Sequence, residues 1–421
     1  MKIAMLTNNY KPFVGGIQIS IERQAKELKK LGHEVVIFAP KYEGTEEWDL
    51  MAEERIIRYR TGKHKIKNGM PYPTIFMREI HSVFEKESFD CIHVHHPLFI
   101  GNCALHLGKK YKIPVIYTYH TRYEDYLHYL GWFQLKGKAV FLKKKLLSLT
   151  QNLLIPEYMR WFTNHCDLVL APSLGMQKVI QKNGTKTPIS VFPTGLAEEF
   201  FIPDERRSRE LREQYLKGKR HLFCTISRLE EEKNPEFLLY GIAEVKKILG
   251  PDFCLMYIGE GSQREHLERL AEKLGIAEEI VFVGSVDNEQ VKDYLNAADL
   301  FLYASKSETQ GIVLAEAMAG KNPVVAVRAT GVDDIVKDGV NGFRTKEDVD
   351  EWAKKVVRAL QPNIYRQLRN QAEVTAGRYR SICLAVYEEM LYTQCIYEKQ
   401  HSMEKKIKWS ELGVSQKVTC Q

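Results

Sequence analysis

The sequence predicts an α/β protein made of two doubly wound, mostly parallel sheets facing one another across an interdomain cleft. Three observations carry this. Short apolar runs alternate with helix-period segments almost throughout, the pattern of successive βα units. At 421 residues the chain suffices for two domains of ordinary size. The stretch from Phe200 to Lys219 is charged, contains Pro203 and interrupts the alternation near the midpoint, which places the linker at Gly195 to Phe201.

Element by element, the first half predicts strands at Ile3–Thr7, Val35–Ala39, Ile56–Tyr59, Cys91–His95, Val115–Thr118, Leu168–Ala171 and Ile189–Phe192. Each is a near-continuous apolar run, as in a strand buried on both faces. The first strand leads through Asn8 to Gly16 into a helix from Ile17 to Leu31, stopped by Gly32. The second half predicts strands at Leu222–Ile226, Cys254–Ile258, Ile280–Val283, Leu300–Tyr303 and Val324–Val327. The domains are therefore set at residues 1–198 and 199–377, followed by a helix over 378–400 and a polar tail at 401–421. Ligands of such sheets bind at the carboxyl ends of strands where the strand order reverses.

Composition narrows the class. With 44% hydrophobic and 27% charged residues the chain reads as soluble and globular. No apolar run approaches the roughly 18 to 20 residues of a spanning helix, and the start is too short in apolar residues for a signal peptide. The eight cysteines form no C-x-x-C pair, so reduced core cysteines in a cytoplasmic protein are expected. Charge is uneven: Met1 to Gly195 carries 28 Lys+Arg against 17 Asp+Glu, a net of +11 within a total of +7. A basic half attracts an anionic partner. No nucleic-acid-binding motif is present, which leaves phosphates of a ligand or an anionic membrane surface.

The most informative segment is Ser305 to Gly320, SKSETQGIVLAEAMAG. A strand enters a polar loop holding Glu308, Thr309, Gln310 and Gly311, and a helix pattern then begins at Ile312. The Gly311 end of that helix offers unpaired N–H groups and the positive end of the dipole, a site for a diphosphate. A carboxylate beside a phosphate site binds hydroxyls instead, so Glu308 and Glu316 suit a ligand with both a diphosphate and sugar rings; for a Glu pair at this spacing taken alone, an ordinary βα unit with solvated glutamates is the favoured alternative. Arg228 and Lys233, five apart in a βα loop, can reach one diphosphate, Arg as a planar fork and Lys as a point charge; a solvated loop is the alternative for these residues alone. Gly15 and Gly16 allow close backbone approach to a phosphate, but they do not form the dinucleotide-binding G-x-G-x-x-G fingerprint. Alternation puts His93 and His95 on one strand face, yet no carboxylate or cysteine stands at ligand spacing, so no metal site is assigned. Asp348 and Asp350 form a D-x-D in a late charged helix and read as a solvated face.

Glu308 and Glu316 resemble the E-x7-E signature of family 4 of the retaining nucleotide-sugar glycosyltransferases, which share the GT-B fold of two facing Rossmann-like domains. Tyr10-Lys11-Pro12 through Gly15-Gly16 resembles the family's first glycine loop, and Arg228-Leu229 through Lys233-Asn234 its G-R-L-x-x-E-K-N motif, with Ser227 in place of the usual Gly. The resemblance covers most of Met1 to Leu391. It implies an acceptor-side first domain, a donor-binding second domain, and a last helix returning to the first. It also implies a metal-independent hexosyl transfer with no cofactor, the nucleotide sugar being a substrate. Arg228 and Lys233 then neutralise the leaving diphosphate. Gly15, Gly16, Thr309, Gln310, Gly311 and Ile312 neighbour the donor, and Val283 meets its base through the backbone. Glu308 holds donor-sugar hydroxyls, Glu316 the ribose hydroxyls, and His120, otherwise an ordinary loop histidine, contacts the donor sugar.

The acceptor is read from Thr118 to Tyr129, TYHTRYEDYLHY, which is similar to the H-T-Y-H-T-x-Y-E-D-Y-x-H-Y of bacterial diacylglycerol glucosyltransferases. Leu142, Leu146, Leu149 and Leu153 keep helical spacing beside Lys138, Lys143, Lys144 and Lys145, with Trp132, Phe133, Phe141 and Trp161 nearby. A basic amphipathic helix with aromatics suits an anionic membrane; a core-facing helix with a lysine-rich exterior is the alternative. The expectation is UDP-glucose as donor and a membrane lipid such as diacylglycerol as acceptor. The location is then cytoplasmic, peripheral on the inner face of the plasma membrane. A soluble sugar, aminocyclitol or secondary-metabolite acceptor, or a non-catalytic nucleotide-sugar-binding protein, are the alternatives.

Overall fold

The structure, a computed structural model, describes residues 1–12, 15–45, 49–50, 53–65, 71–73, 77–121, 153–306 and 308–401. It divides into two compact units, Met1–Gly195 with Ser381 onward, and Leu196–Arg380.

The first unit is built on a seven-stranded parallel sheet. Its strands are β1 (Lys2–Leu6), β2 (Glu34–Pro40), β3 (Arg55–Tyr59), β6 (Cys91–Val94), β7 (Val115–Thr118), β8 (Leu168–Ala171) and β9 (Ile189–Val191), while β4 (Thr61–Lys65) and β5 (Pro71–Pro73) form a separate antiparallel pair. The order β3-β2-β1-β6-β7-β8-β9 reverses between β1 and β6. Helices α1 (Gly16–Lys30), α2 (Arg78–Lys86), α3 (Ile100–Tyr111), α4 (Ile155–Thr163) and α5 (Leu174–Lys182) cover it. Ile3 and Met5 pack on one face with Ile21, Ala25 and Leu28 of α1. Ala4 and Leu6 pack on the other with Ala104 and Leu107 of α3. Burial on both faces explains the unbroken apolar runs. Gly32 at φ 86° ends α1, a left-handed position that favours glycine.

The second unit repeats the plan. Strands β10 (His221–Ile226), β11 (Phe253–Ile258), β12 (Ile280–Gly284), β13 (Leu300–Tyr303), β14 (Val324–Val327) and β15 (Gly342–Thr345) lie parallel in the order β12-β11-β10-β13-β14-β15. The reversal falls between β10 and β13. Around them run α6 (Glu205–Leu216), α7 (Pro235–Leu249), α8 (Arg264–Lys273), α9 (Val291–Ala297), α10 (Ile312–Ala319), α11 (Val332–Ile335), α12 (Val349–Ala359) and α13 (Pro362–Gly377). Asp348 is the N-cap of α12, accepting the Glu351 N–H at 2.8 Å, which gives the D-x-D a local structural role.

Strands β7, β8, β13 and β14 fall on the residues the sequence predicts; β1 and β2 differ by one residue at both ends and the other predicted strands by one residue at one end, while the short pair β4 and β5 has no predicted counterpart. Edge strand β15 was not predicted: Phe343 is its single apolar side chain, too few for a run. The last helix, α14, spans Ser381–His401, so it starts later than the expected 378. Arg378 to Arg380 instead belong to the second unit, where Leu196 N–H donates to Tyr379 O at 2.6 Å and Arg380 lies over the Phe201 ring, 3.9 Å from its centroid. From Ser381 the chain returns to the first unit, and Leu391, Tyr392 and Cys395 of α14 join the α1 cluster. Gly195 is required at this crossing, since a Cβ there would meet Ser381 Cα at 2.7 Å. Cys91, Cys103, Cys166, Cys224, Cys254 and Cys395 are free thiols, as expected of core cysteines, whereas Cys383 is disulfide-bonded.

Candidate functional site

In the second unit the chemistry collects where β10 and β13 part company. The loop after β10 carries Arg228 and then a single 3-10 turn, Glu231–Lys233, before Asn234 in the left-handed region turns the chain into α7. The loop after β13 carries Glu308, Thr309, Gln310 and Gly311. Adjacent strands make these loops neighbours, and two contacts join them: Lys306 N–H donates to Glu232 O at 3.3 Å, and Lys233 Nζ lies 2.5 Å from Glu308 Oε1. The Tyr303 hydroxyl, at the end of β13, donates to the same Oε1. Burial, reinforced by the Glu308 charge, holds the Tyr303 phenol well above its ordinary range, so it remains a donor. Lys233 and Glu308 side chains are only 15% and 12% exposed. Arg228 is more open and pairs with Glu232 one turn on, at 2.7 Å.

Gly311, at φ 76°, is the N-cap of α10 and, as a glycine, offers no side-chain cap of its own. The amides of Ile312 and Val313 therefore lie at the positive helix end, as the sequence predicted. Glu316 is buried in the next turn of α10. Gly331 fixes the loop from behind: its N–H donates to Glu308 O at 3.1 Å, and a Cβ would meet the Gln310 backbone at 2.5 to 2.7 Å.

The glycine turn after β11 has a packing role the sequence did not reveal. A Cβ on Gly259 would meet Ser227 O at 2.0 Å, and one on Gly261 would meet Leu229 O at 2.4 Å. Leu229 N–H donates to Glu260 O, Gln263 N–H donates to Leu229 O, and Glu230 accepts from the Ser262 N–H and hydroxyl. The Arg228 loop is thus stitched to the neighbouring turn, and glycine is what permits the approach. Val283 stands on edge strand β12, half-buried and two strands from β10.

In the first unit, Gly15 is extended and Gly16 starts α1. No described residue lies within 4 Å of a Cβ on Gly16, so packing does not demand glycine there. The preceding loop is tied across the β1–β6 reversal: Asn8 N–H donates to His96 Nδ1 at 3.2 Å. His120 follows β7 and is bonded to His95, Nε2 to Nδ1 at 2.9 Å. Burial first, then the neighbouring histidines, pushes both His95 and His120 well below the ordinary histidine range, while burial lowers His96 to about 4.

Sequence reasoning missed Tyr303, Glu232, Glu230 and Gly331. A strand-final tyrosine before the acidic loop is the one available signal for Tyr303; the others depend on chain crossings. Phe13, Val14, Arg122 to Tyr129, Trp132, Phe133, Lys138, Phe141 to Lys145, Leu146, Leu149, Ser307 and the tail beyond His401 lie outside the described residues.

Two family models match in succession, Glycosyltransferase Family 4 over residues 14–200 and Glycosyl transferases group 1 over 207–375. The chain is 28% identical to the alpha-monoglucosyldiacylglycerol synthase of Streptococcus pneumoniae over 347 residues, 81% of this chain and 74% of that one. It is 26% identical to the protein of the same name from Acholeplasma laidlawii over 413 residues, 96% of this chain and 100% of that one. Among solved structures it is similar to Anabaena Alr3699/HepE, crystallised in complex with UDP, at a TM-score of 0.73 and 18% identity over 94% of this chain and 100% of that one. That likeness shows the shared GT-B fold.

Proposed function

The chain belongs to the glycosyltransferases, with a family 4 half followed by a group 1 half, and we propose that it moves glucose from UDP-glucose to a hydroxyl of a membrane lipid such as diacylglycerol, with retention and without a metal. The observation that carries the reading is the Lys233–Glu308 pair beside the Gly311 end of α10. That arrangement suits a sugar diphosphate: positive charge and helix amides for the phosphates, and a held carboxylate for sugar hydroxyls.

In this reading Arg228, Lys233 and the α10 amides stabilise charge that develops on the leaving diphosphate, where fixed electrostatics contributes most. Glu308, kept in place by Tyr303 and Lys233, orients the donor-sugar hydroxyls, and Glu316 takes the ribose hydroxyls. Thr309, Gln310 and Ile312 flank the donor, Val283 meets the base, Gly15 and Gly16 approach the diphosphate, and His120 contacts the donor sugar. No side chain is assigned as nucleophile; the acceptor proton passes to the departing phosphate on the same face.

The lipid acceptor is supported by the names of both relatives and by exposed Leu153, Leu154 and Trp161 at and before α4. No helix of the described residues is long and apolar enough to cross a membrane, so contact with lipid is assigned to the surface. Lys138, Lys143, Lys144 and Lys145 contribute roughly 1 kcal/mol each near an anionic bilayer.

The test is incubation with UDP-glucose and diacylglycerol in anionic vesicles, following UDP release and glucolipid mass. Turnover on a soluble acceptor and none on lipid moves the acceptor class. Tight donor binding without turnover on any acceptor favours a sensor. Changing the four lysines to Glu is expected to abolish vesicle cosedimentation and leave UDP binding unchanged; equal cosedimentation removes their role.

A further inference from the structure

Behind His120 lies a row of buried polar groups that the reaction as read above does not use. The His95 ring is fully buried and sandwiched, 4.2 Å from the His93 ring on one side and 5.2 Å from the His120 ring on the other. His93 is itself pinned at both nitrogens, Nδ1 to the Tyr392 hydroxyl and Nε2 to Thr118 Oγ1, each at 2.6 Å. Tyr392 is on the returning helix α14 and donates to Glu388 Oε1 at 2.6 Å. All of His93, His95, Glu388 and Tyr392 are 0% exposed.

The hydrogen bonds fix the proton positions, which follow from the network. Since Tyr392 gives its proton to the Glu388 carboxylate, its oxygen accepts from His93 Nδ1–H, and His93 Nε2 accepts from Thr118. His95 Nε2 is buried with no hydrogen-bond partner among the described residues. A buried N–H without an acceptor is the rarer and costlier of the two orphan states. The His95 proton therefore sits on Nδ1 and is donated to His120 Nε2. That leaves His120 neutral with its proton on Nδ1, a hydrogen-bond donor to an oxygen. The lowered proton affinity of both rings agrees with neutral forms.

We propose that His95 is a positioning residue for His120, fixing its ring and its Nδ1–H tautomer, and that α14 braces His95 through Tyr392 and His93. This rests on the role given to His120 above. It also makes the chain's return after Ser381 functional: the last helix sets the geometry of a loop histidine through residues remote in sequence. His95 acts only through His120, and so must have no effect once His120 is gone.

The experiment uses the full chain labelled with 15N-histidine, with His120 signals assigned by their loss in His120→Ala. In the parent protein the His120 Nδ1 should resonate as a protonated and Nε2 as an unprotonated ring nitrogen. His95→Leu, similar in bulk and lacking the orphan nitrogen, should shift His120 to a tautomer mixture. Its kcat should fall about tenfold to a hundredfold, the scale of a small misplacement, with donor KM little changed. His95→Asn, which retains a side-chain donor near Nδ1, should recover part of the loss, and His95→Leu added to His120→Ala should cost nothing further. Unchanged His120 signals in His95→Leu, or losses that multiply in the double variant, overturn the proposal. Full activity of His120→Ala instead refutes the catalytic reading of His120, and the spectra still decide the positioning. If His95→Leu does not fold, Tyr392→Phe carries the spectral test by deleting only the hydroxyl on His93; His120 signals identical to the parent's overturn the brace.

Discussion

Replacing Lys233 by Met separates the structural and electrostatic roles of the pair with Glu308. Methionine retains much of the stem and removes the charge, leaving Glu308 with Tyr303 as its remaining described donor. Removing one partner of a fully buried pair costs about 3 to 5 kcal/mol. Here the side chains are 15% and 12% exposed, so water reaches the stranded carboxylate and about 2 kcal/mol is the reasonable figure. For a unit the size of Leu196–Arg380 that lowers the unfolding midpoint by about 4 to 8 °C. Adding Glu308→Gln removes the orphaned charge and retains an oxygen acceptor for Tyr303, so most of the midpoint should return. Turnover should not return: loss of one preorganised charge on the leaving group costs about 100-fold to 1,000-fold in kcat. Thermal unfolding by circular dichroism and release of nucleoside diphosphate measure the two effects on the same samples. A double variant no more stable than Lys233→Met shows that the carboxylate was not the source of the destabilisation. Undiminished turnover of folded Lys233→Met refutes the charge role.

Three further outcomes are expected. Gly16→Ala meets no described residue and replaces glycine by a better helix former, so stability should hold or rise by up to about 1 kcal/mol; UDP affinity by calorimetry should nevertheless fall, and unchanged affinity rules out backbone approach to the diphosphate there. Gly331→Ala drives a Cβ into the Gln310 backbone, costing about 1 to 3 kcal/mol as overpacking does; it should also weaken donor binding by moving the Glu308 loop, and donor affinity equal to the parent's in a destabilised variant separates that loop from the donor. His96 has its folded value lowered from 6.5 to about 4, so the unfolded chain takes up the proton first as pH falls. Its contribution is complete above pH 6.5 and is lost progressively towards pH 4, by about 3 kcal/mol at most. His95 and His120 shift in the same direction, so resistance of the first unit to denaturant should weaken from pH 7 to 5, and a flat profile contradicts neutral burial of these rings.

Much of this protein is written locally. Strands buried on both faces must be apolar along their whole length, so β7, β8, β13 and β14 can be read residue by residue. A strand, a polar loop with Glu308, a glycine and a helix carry their chemistry within about a dozen positions, as do Arg228 and Lys233. What the sequence does not contain is who meets whom. Lys233 and Glu308 are 75 residues apart and touch because β10 and β13 are neighbours at the sheet's reversal. Gly259 looks like an ordinary strand-ending turn until the Ser227 carbonyl is found against it. His93 and Tyr392, 299 positions apart, are joined only because α14 packs against α1 and beneath β6. Local periodicity determines which elements form, since it reflects which faces need burial. Sheet order and the return of the last helix are decided by the packing of the whole core, and those decide which charges, hydroxyls and rings share a site.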